Sequence, residues 1–158
     1  MQYKTEQEEF WAGEFGNEYI QRNKSEEYLA SNLNFFSKAL KCVGRPKSVI
    51  EFGANIGMNL LALKQLYPGL LVHGIEINEN AADILSTNIG KGNVSNCSFF
   101  DFKSSDKYEL ALIKGVLIHI NPEMLDKTYQ KLYEASSKFI LVCEYYNPAP
   151  VVISISTR

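Results

Sequence analysis

The stretch EFGANIGMN, residues 51–59, follows the apolar run SVI and leads into LLALKQLY. A short β-branched run, a glycine-bearing loop and then a helical pattern make the first strand–loop–helix unit of a wound α/β sheet. Working outward, residues 56–67 read as a helix stopped by Pro68-Gly69, and LLVHGIEI reads as a second strand. Residues 79–88 predict a helix, GKGN a turn, and NCSFFDF a third strand. Residues 108–113 predict a fourth strand, Pro122 the first turn of a helix running to about residue 136, and KFILVCEY a fifth strand. Three of these strands are nearly unbroken apolar runs, as expected where crossover helices cover both faces. The expected fold is therefore α/β: a doubly wound, mainly parallel sheet, with ligands bound beyond the carboxyl ends of the strands.

Upstream, residues 1–44 read as helical. Thr5 to Glu8 has capping-box spacing, and Ser25 before Glu26 and Glu27 gives a second N-cap with acids in the first turn. Leu29, Leu33, Phe36, Leu40 and Val43 recur on one helical face that stops at Gly44. Trp11, Phe15 and Tyr19 recur every four residues, but Gly13 and Gly16 argue against one continuous helix. With 158 residues the chain fits one domain, divided into a helical segment (1–44), an α/β core (45–146) and a short tail (147–158).

Net charge is −2 and no Lys/Arg-rich block occurs, so neither a nucleic acid nor a membrane surface is an expected partner. No apolar run approaches the ~20 residues of a membrane span, and the acidic N-terminus is unlike a targeting peptide. Cys42, Cys97 and Cys143 are scattered, which predicts free buried thiols in a reducing cytoplasm. Two histidines and no ligand-spaced cluster predict no metal site.

The strand ends carry the chemistry. Strand two ends at Glu76, 23 positions beyond Gly53, where a carboxylate can accept hydrogen bonds from both ribose hydroxyls. A dinucleotide fingerprint starting at Gly53 needs glycine at positions 55 and 58, but the chain has Asn55 and Met58. The pattern acid-x-G-x-G-x-G is met at Glu51, Gly53 and Gly57, and Asn is the residue that best tolerates the left-handed backbone of a missing glycine. The loop thus suits S-adenosylmethionine (SAM) and disfavours NAD.

Over residues 45–146 the chain resembles class I SAM-dependent methyltransferases, whose fold is a Rossmann-like doubly wound sheet. The resemblance implies that Glu51, Gly53, Ala54, Asn55 and Gly57 line the methionyl part of SAM. It implies that Glu76 holds the ribose and Asp101 the adenine amine, with Ile77 or Phe102 beside the base. TEQEEFWAGEFGNEYIQRN, GVLIHINPEML and CEYYNP are more narrowly similar to small methylases associated with pseudaminic acid and other surface sugars. That similarity implies a sugar-type acceptor, and a lid function for the Trp11–Phe15–Tyr19 stripe.

His119, after strand four, is the first candidate base for an acceptor hydroxyl, and Glu144, after strand five, the second. Tyr145 and Tyr146 are candidates for shaping an acceptor pocket. His73, within strand two, is expected to be a buried structural residue. After strand five the resemblance calls for a β-hairpin, yet only NPAPVVISISTR follows, with alternation suited to one short strand. An exposed sheet edge, and with it a homodimer or a destabilised monomer, is the expected consequence. The alternatives to an active methyltransferase on a small acceptor are a SAM-binding chain without turnover and an NAD-dependent oxidoreductase.

Overall fold

The computed structural model of the chain describes residues 3–22, 25–104 and 106–149. Its strands are β1 (Ser48–Phe52), β2 (Leu71–Glu76), β3 (Val94–Asn96), β4 (Tyr108–Lys114) and β5 (Ser136–Cys143). They form one parallel sheet in the order β3-β2-β1-β4-β5. The chain winds outward from β1 to β3 and then returns to the far side of β1. The strand order therefore switches between β1 and β4, where the loops part and leave a crevice.

The helices are α1 (Glu6–Ala12), α2 (Glu14–Arg22), α3 (Glu26–Ala39), α4 (Met58–Leu66), α5 (Glu79–Ile89) and α6 (Leu125–Ala135). Alternation along the strands sends Val49, Val72, Leu110 and Leu112 to one face, where they pack with Phe36 of α3 and its C-cap Leu40, Leu60 and Leu63 of α4 and Leu85 of α5. Ile50, Phe52, Ala111 and Ile113 point the other way, onto Leu132 and Ala135 of α6. Each such fully buried side chain contributes about 1.5–3 kcal/mol of transfer free energy.

Both expected N-caps form: Thr5 Oγ1 accepts the Glu8 N–H at 3.2 Å and Ser25 Oγ the Tyr28 N–H at 3.0 Å. The reciprocal bond of the capping box does not, because the Glu8 carboxylate accepts the Lys4 N–H instead, at 2.5 Å. Gly13 separates α1 from α2. Gly16 allows them to touch, since a Cβ there would lie 2.0 Å from the Trp11 carbonyl oxygen.

The third strand differs from expectation. It ends at Asn96 and does not run through Phe102. Ser98 turns the chain: its carbonyl accepts the N–H groups of Asp101 (2.9 Å) and Phe102 (3.1 Å), and its hydroxyl accepts that of Phe100 (3.2 Å). A serine that offers the backbone such local partners competes with a strand ladder. The helix expected from Pro122 starts as a 3-10 turn, Pro122–Met124, before α6. The cysteines are free as expected but not buried, with Cys42 exposed and the other two intermediate. His73 is half-buried, its Nε2 3.0 Å from Ser95 Oγ. Among the described residues, β5 pairs only with β4 and exposes Phe139, Ile140 and Val142. The strand expected in the tail lies outside the described residues. Among those described, no helix is long and apolar enough to cross a membrane.

Candidate active site

Residues 53–57 form a loop that consumes its own donors. Gly53 and Ala54 donate to the Ile75 carbonyl (3.0 and 2.9 Å), and Gly57 donates to that of Ala54 (2.9 Å). The Asn55 N–H reaches Glu76 Oε2 at 2.7 Å, and the Ile56 N–H reaches Asn55 Oδ1 at 2.7 Å. The backbone is left-handed at Gly53 (φ 72°), Asn55 (φ 48°) and Gly57 (φ 85°). Asn55 is the non-glycine residue with positive φ among those described, so it occupies the conformation that its place in the loop predicts. A pyrophosphate is held by free backbone N–H groups, and all five here are spent.

Glu76 is the counterpart of this loop. It is 7% exposed, accepts from Asn55 through one oxygen and from the Asn78 N–H through the other at 2.8 Å, and faces the crevice. Burial raises its pKa, opposed by backbone hydrogen bonds from Asn78, Asn55 and Ile77. A carboxylate has about four acceptor sites, so these donors leave capacity for a ligand.

Glu51 lies deeper, 1% exposed and outside the crevice lining, where Asn59 Nδ2 donates to its Oε1 at 2.6 Å. Burial pushes its pKa up to about 8, against the Asn59 hydrogen bond and the charge of Lys114 and assisted by Glu76. Its Oε2 and Asn59 Oδ1 are both buried without a hydrogen-bond partner. With a pKa of about 8 the ligand-free Glu51 carboxyl holds its proton near pH 7, and a cationic donor reaching its Oε2 and Asn59 Oδ1 favours the ionised form. Asn59 itself lines the crevice, which places these unpaired oxygens within a ligand's reach.

The crevice is a cavity of about 400 Å³ across the ends of β2, β1 and β4. Gly53, Ala54, Asn55, Glu76 and Ile77 line it, as expected; Gly57 caps α4 behind it. Asp101 and Phe102 do not line it. The turn at Ser98 supplies Cys97, Ser98, Phe99 and Phe100 as the wall instead. Asp101 is exposed and ion-paired with Lys4. Phe102 packs toward His73, ring centroids 5.5 Å apart.

Of the two candidate bases, one faces the cavity. His119 closes a 3-10 turn, Leu117–His119, with its ring centroid 4.6 Å from that of Trp11, and burial lowers its pKa. Glu144 does not line the cavity: its Oε1 accepts the N–H groups of Val116 (2.8 Å) and Leu117 (2.9 Å). Its carboxylate holds the start of the turn that carries His119. Tyr145 lines the cavity and Tyr146 does not.

Trp11, Phe15 and Tyr19 also line the cavity, with Trp11 edge-on to both other rings at 5.2 and 5.1 Å. Sequence reasoning missed what holds this segment there. Asn78 caps α5 with Oδ1, accepting the Ala81 N–H at 2.9 Å. Its Nδ2 meets the carbonyls of Trp11, Ala12 and Gly13 at 3.3 Å and Asn17 Oδ1 at 2.9 Å. The Glu8 carboxylate also accepts from the Ser98 hydroxyl. Asn78 before the acidic residue Glu79 was legible as a helix cap; its second bond, to a segment some sixty residues away in sequence, was not. Asn59, Tyr28 and Lys114, three further lining residues, carried no sequence signal of their own.

Neither a protein-family profile nor a curated protein sequence matches the chain. Solved structures do. The sugar N-methyltransferase KedS8 from Streptoalloteichus sp ATCC 53650 superposes with a TM-score of 0.70 at 12% identity, over 90% of this chain and 58% of that one. Magnesium protoporphyrin IX methyltransferase (ChlM) from Synechocystis PCC 6803, with SAM bound, gives 0.66 at 13% identity over 90% and 77%. The plantazolicin methyltransferase BpumL, in complex with a pentazolic desmethylPZN analog and S-adenosylhomocysteine (SAH), gives 0.64 at 19% identity. The chain covers 55% of the length of BpumL. At these identities the likeness is one of fold: the chain has the Rossmann-like fold of these methyltransferases.

Proposed function

We propose that the chain is the SAM-binding core of a methyltransferase acting on a small, sugar-type acceptor. The observation that carries this reading is the loop at residues 53–57. Its five amides are turned inward onto the Ile75 carbonyl, the Glu76 carboxylate, Asn55 Oδ1 and the Ala54 carbonyl, so none of the five is left to grip a phosphate. The aimed Glu76 carboxylate suits a ribose, and the unpaired Glu51 Oε2 and Asn59 Oδ1 suit an ammonium donor. A nucleoside ending in an amino acid carries both groups. The same spent amides disfavour NAD.

Bound SAM supplies an activated methyl group on sulfur; the protein's part is placement, exclusion of water and handling of the acceptor proton. Trp11, Phe15 and Tyr19 cover the cavity as a lid. His119, kept neutral near pH 7 because burial lowers its pKa, takes the proton of the acceptor hydroxyl. The apolar and aromatic wall that Trp11, Ile118, Ile120 and Met124 build around it suits the carbon face of a sugar ring. That KedS8, a sugar N-methyltransferase, shares the fold is consistent with this class of acceptor. The exposed strand β5 pairs two copies edge to edge.

Calorimetric titration with SAH tests the reading. Glu76→Ala removes two ribose hydrogen bonds to a charged acceptor and should weaken binding by roughly tenfold or more. An unchanged affinity would remove the anchor of the account.

A further inference from the structure

Lys114 has no role in the site described so far, although it lines the cavity. Strand alternation places it with Leu110 and Leu112 on the sheet face covered by α3 and α4. Glu51, two residues after Val49 on the adjacent strand β1, shares that face. The two helices above supply a partner each: α4 gives Asn59 to Glu51, and α3 gives Tyr28 to Lys114.

These two pairs have opposite hydrogen-bonding character. Lys114 Nζ donates to the Tyr28 hydroxyl at 3.3 Å and stands 5.3 Å from the centroid of its ring. The ion pairs among the described residues are Lys4–Asp101 and Lys138–Glu109, so no described carboxylate neutralises Lys114 within contact distance. An ammonium has three donors and one is used; the Tyr28 hydroxyl, already accepting, has its own proton to give. Unspent donors therefore gather at the end of β4. Unspent acceptors, Glu51 Oε2 and Asn59 Oδ1, gather one strand away, about 4.8 Å in a sheet.

Resting on the SAM reading, we propose that Lys114 and Tyr28 bind the α-carboxylate of the ligand while Glu51 and Asn59 take its α-ammonium. The site then reads the complete amino-acid zwitterion, and Lys114 and Tyr28 are specificity-determining residues. A carboxylate accepts only, so it matches the donor pair; an ammonium donates only, so it matches the other. A ligand with the amine but no carboxylate leaves Lys114 facing a second cation with no counter-charge and binds more weakly.

The test is calorimetry with two probes, SAM and decarboxylated SAM, on the wild type, Lys114→Met and Tyr28→Phe. A charge-assisted contact predicts that the wild type prefers SAM by about 10- to 100-fold. Lys114→Met should lose most of that preference through weaker SAM binding, holding decarboxylated SAM within about threefold of wild type. Tyr28→Phe should move the ratio the same way by less. The decarboxylated probe reports whether the variant site is intact. Equal losses for both probes, or SAM affinity unchanged in Lys114→Met, would overturn the assignment while the SAM reading stands. A wild type that binds neither probe would sink the SAM reading, and this assignment with it.

Discussion

Asn55 shows how one residue sorts two ligand classes. Its left-handed backbone keeps the loop's shape without glycine, its N–H donates to Glu76, and its Oδ1 accepts the Ile56 N–H. That role was legible, because few residues tolerate positive φ and the acid after β2 stood at a fitting distance. The depth of Glu51 was not legible, since burial depends on helices packed above it. It carries a pH prediction. Its folded pKa of about 8 exceeds the unfolded value of 4.5, so the ligand-free folded protein binds more protons across that window. The associated stability is full below pH 4.5 and is lost as pH rises toward 8. Glu76, also raised, acts in the same direction. The melting temperature of the ligand-free wild type should fall from pH 5 to 8, each carboxylate contributing at most ~1.4 kcal/mol per pH unit. Glu51→Gln keeps the acceptor for Asn59 and should give a shallower fall; parallel profiles would contradict the assignment.

At the scale of elements, helix boundaries were legible wherever a cap preceded an apolar face, as at Ser25 and α3. The third strand was not, because Phe99 and Phe100 read as strand residues while Ser98 bends them into a cavity wall. Adenine contacts were therefore assigned to Asp101 and Phe102, which the turn directs elsewhere. The segment proposed as a lid is tied down in part by a side chain that no periodicity reveals. Asn78 joins the start of α5 to the end of α1, next to the Glu76 carboxylate. Asn78→Ala removes a helix cap and the tie to the lid, and should cost about 1–2 kcal/mol. Limited proteolysis should then cut within residues 3–22 faster than in wild type. Unchanged cleavage would mean that the aromatic stack alone holds the segment.

For the whole molecule, five alternating strand and helix signals were enough to anticipate a parallel, doubly wound sheet, and the cavity lies at its carboxyl edge. Strand order, and the switch between β1 and β4, depend on pairings that no local pattern records. The sheet edge at β5 presents Ile140 and Val142 to solvent. An apolar, unpaired edge favours pairing with another strand, and a second copy is the proposed occupant. Light scattering should show a concentration-dependent dimer that Ile140→Lys shifts to monomer; a wild type that stays monomeric at high concentration would contradict it. The central claim is that the cavity takes a nucleoside ending in an amino acid and refuses a dinucleotide. Calorimetric titration of the wild type with SAH and with NAD, side by side, tests it most directly. Saturable one-site binding of SAH with no measurable heat from NAD is the expected result; NAD binding without SAH binding would contradict the account.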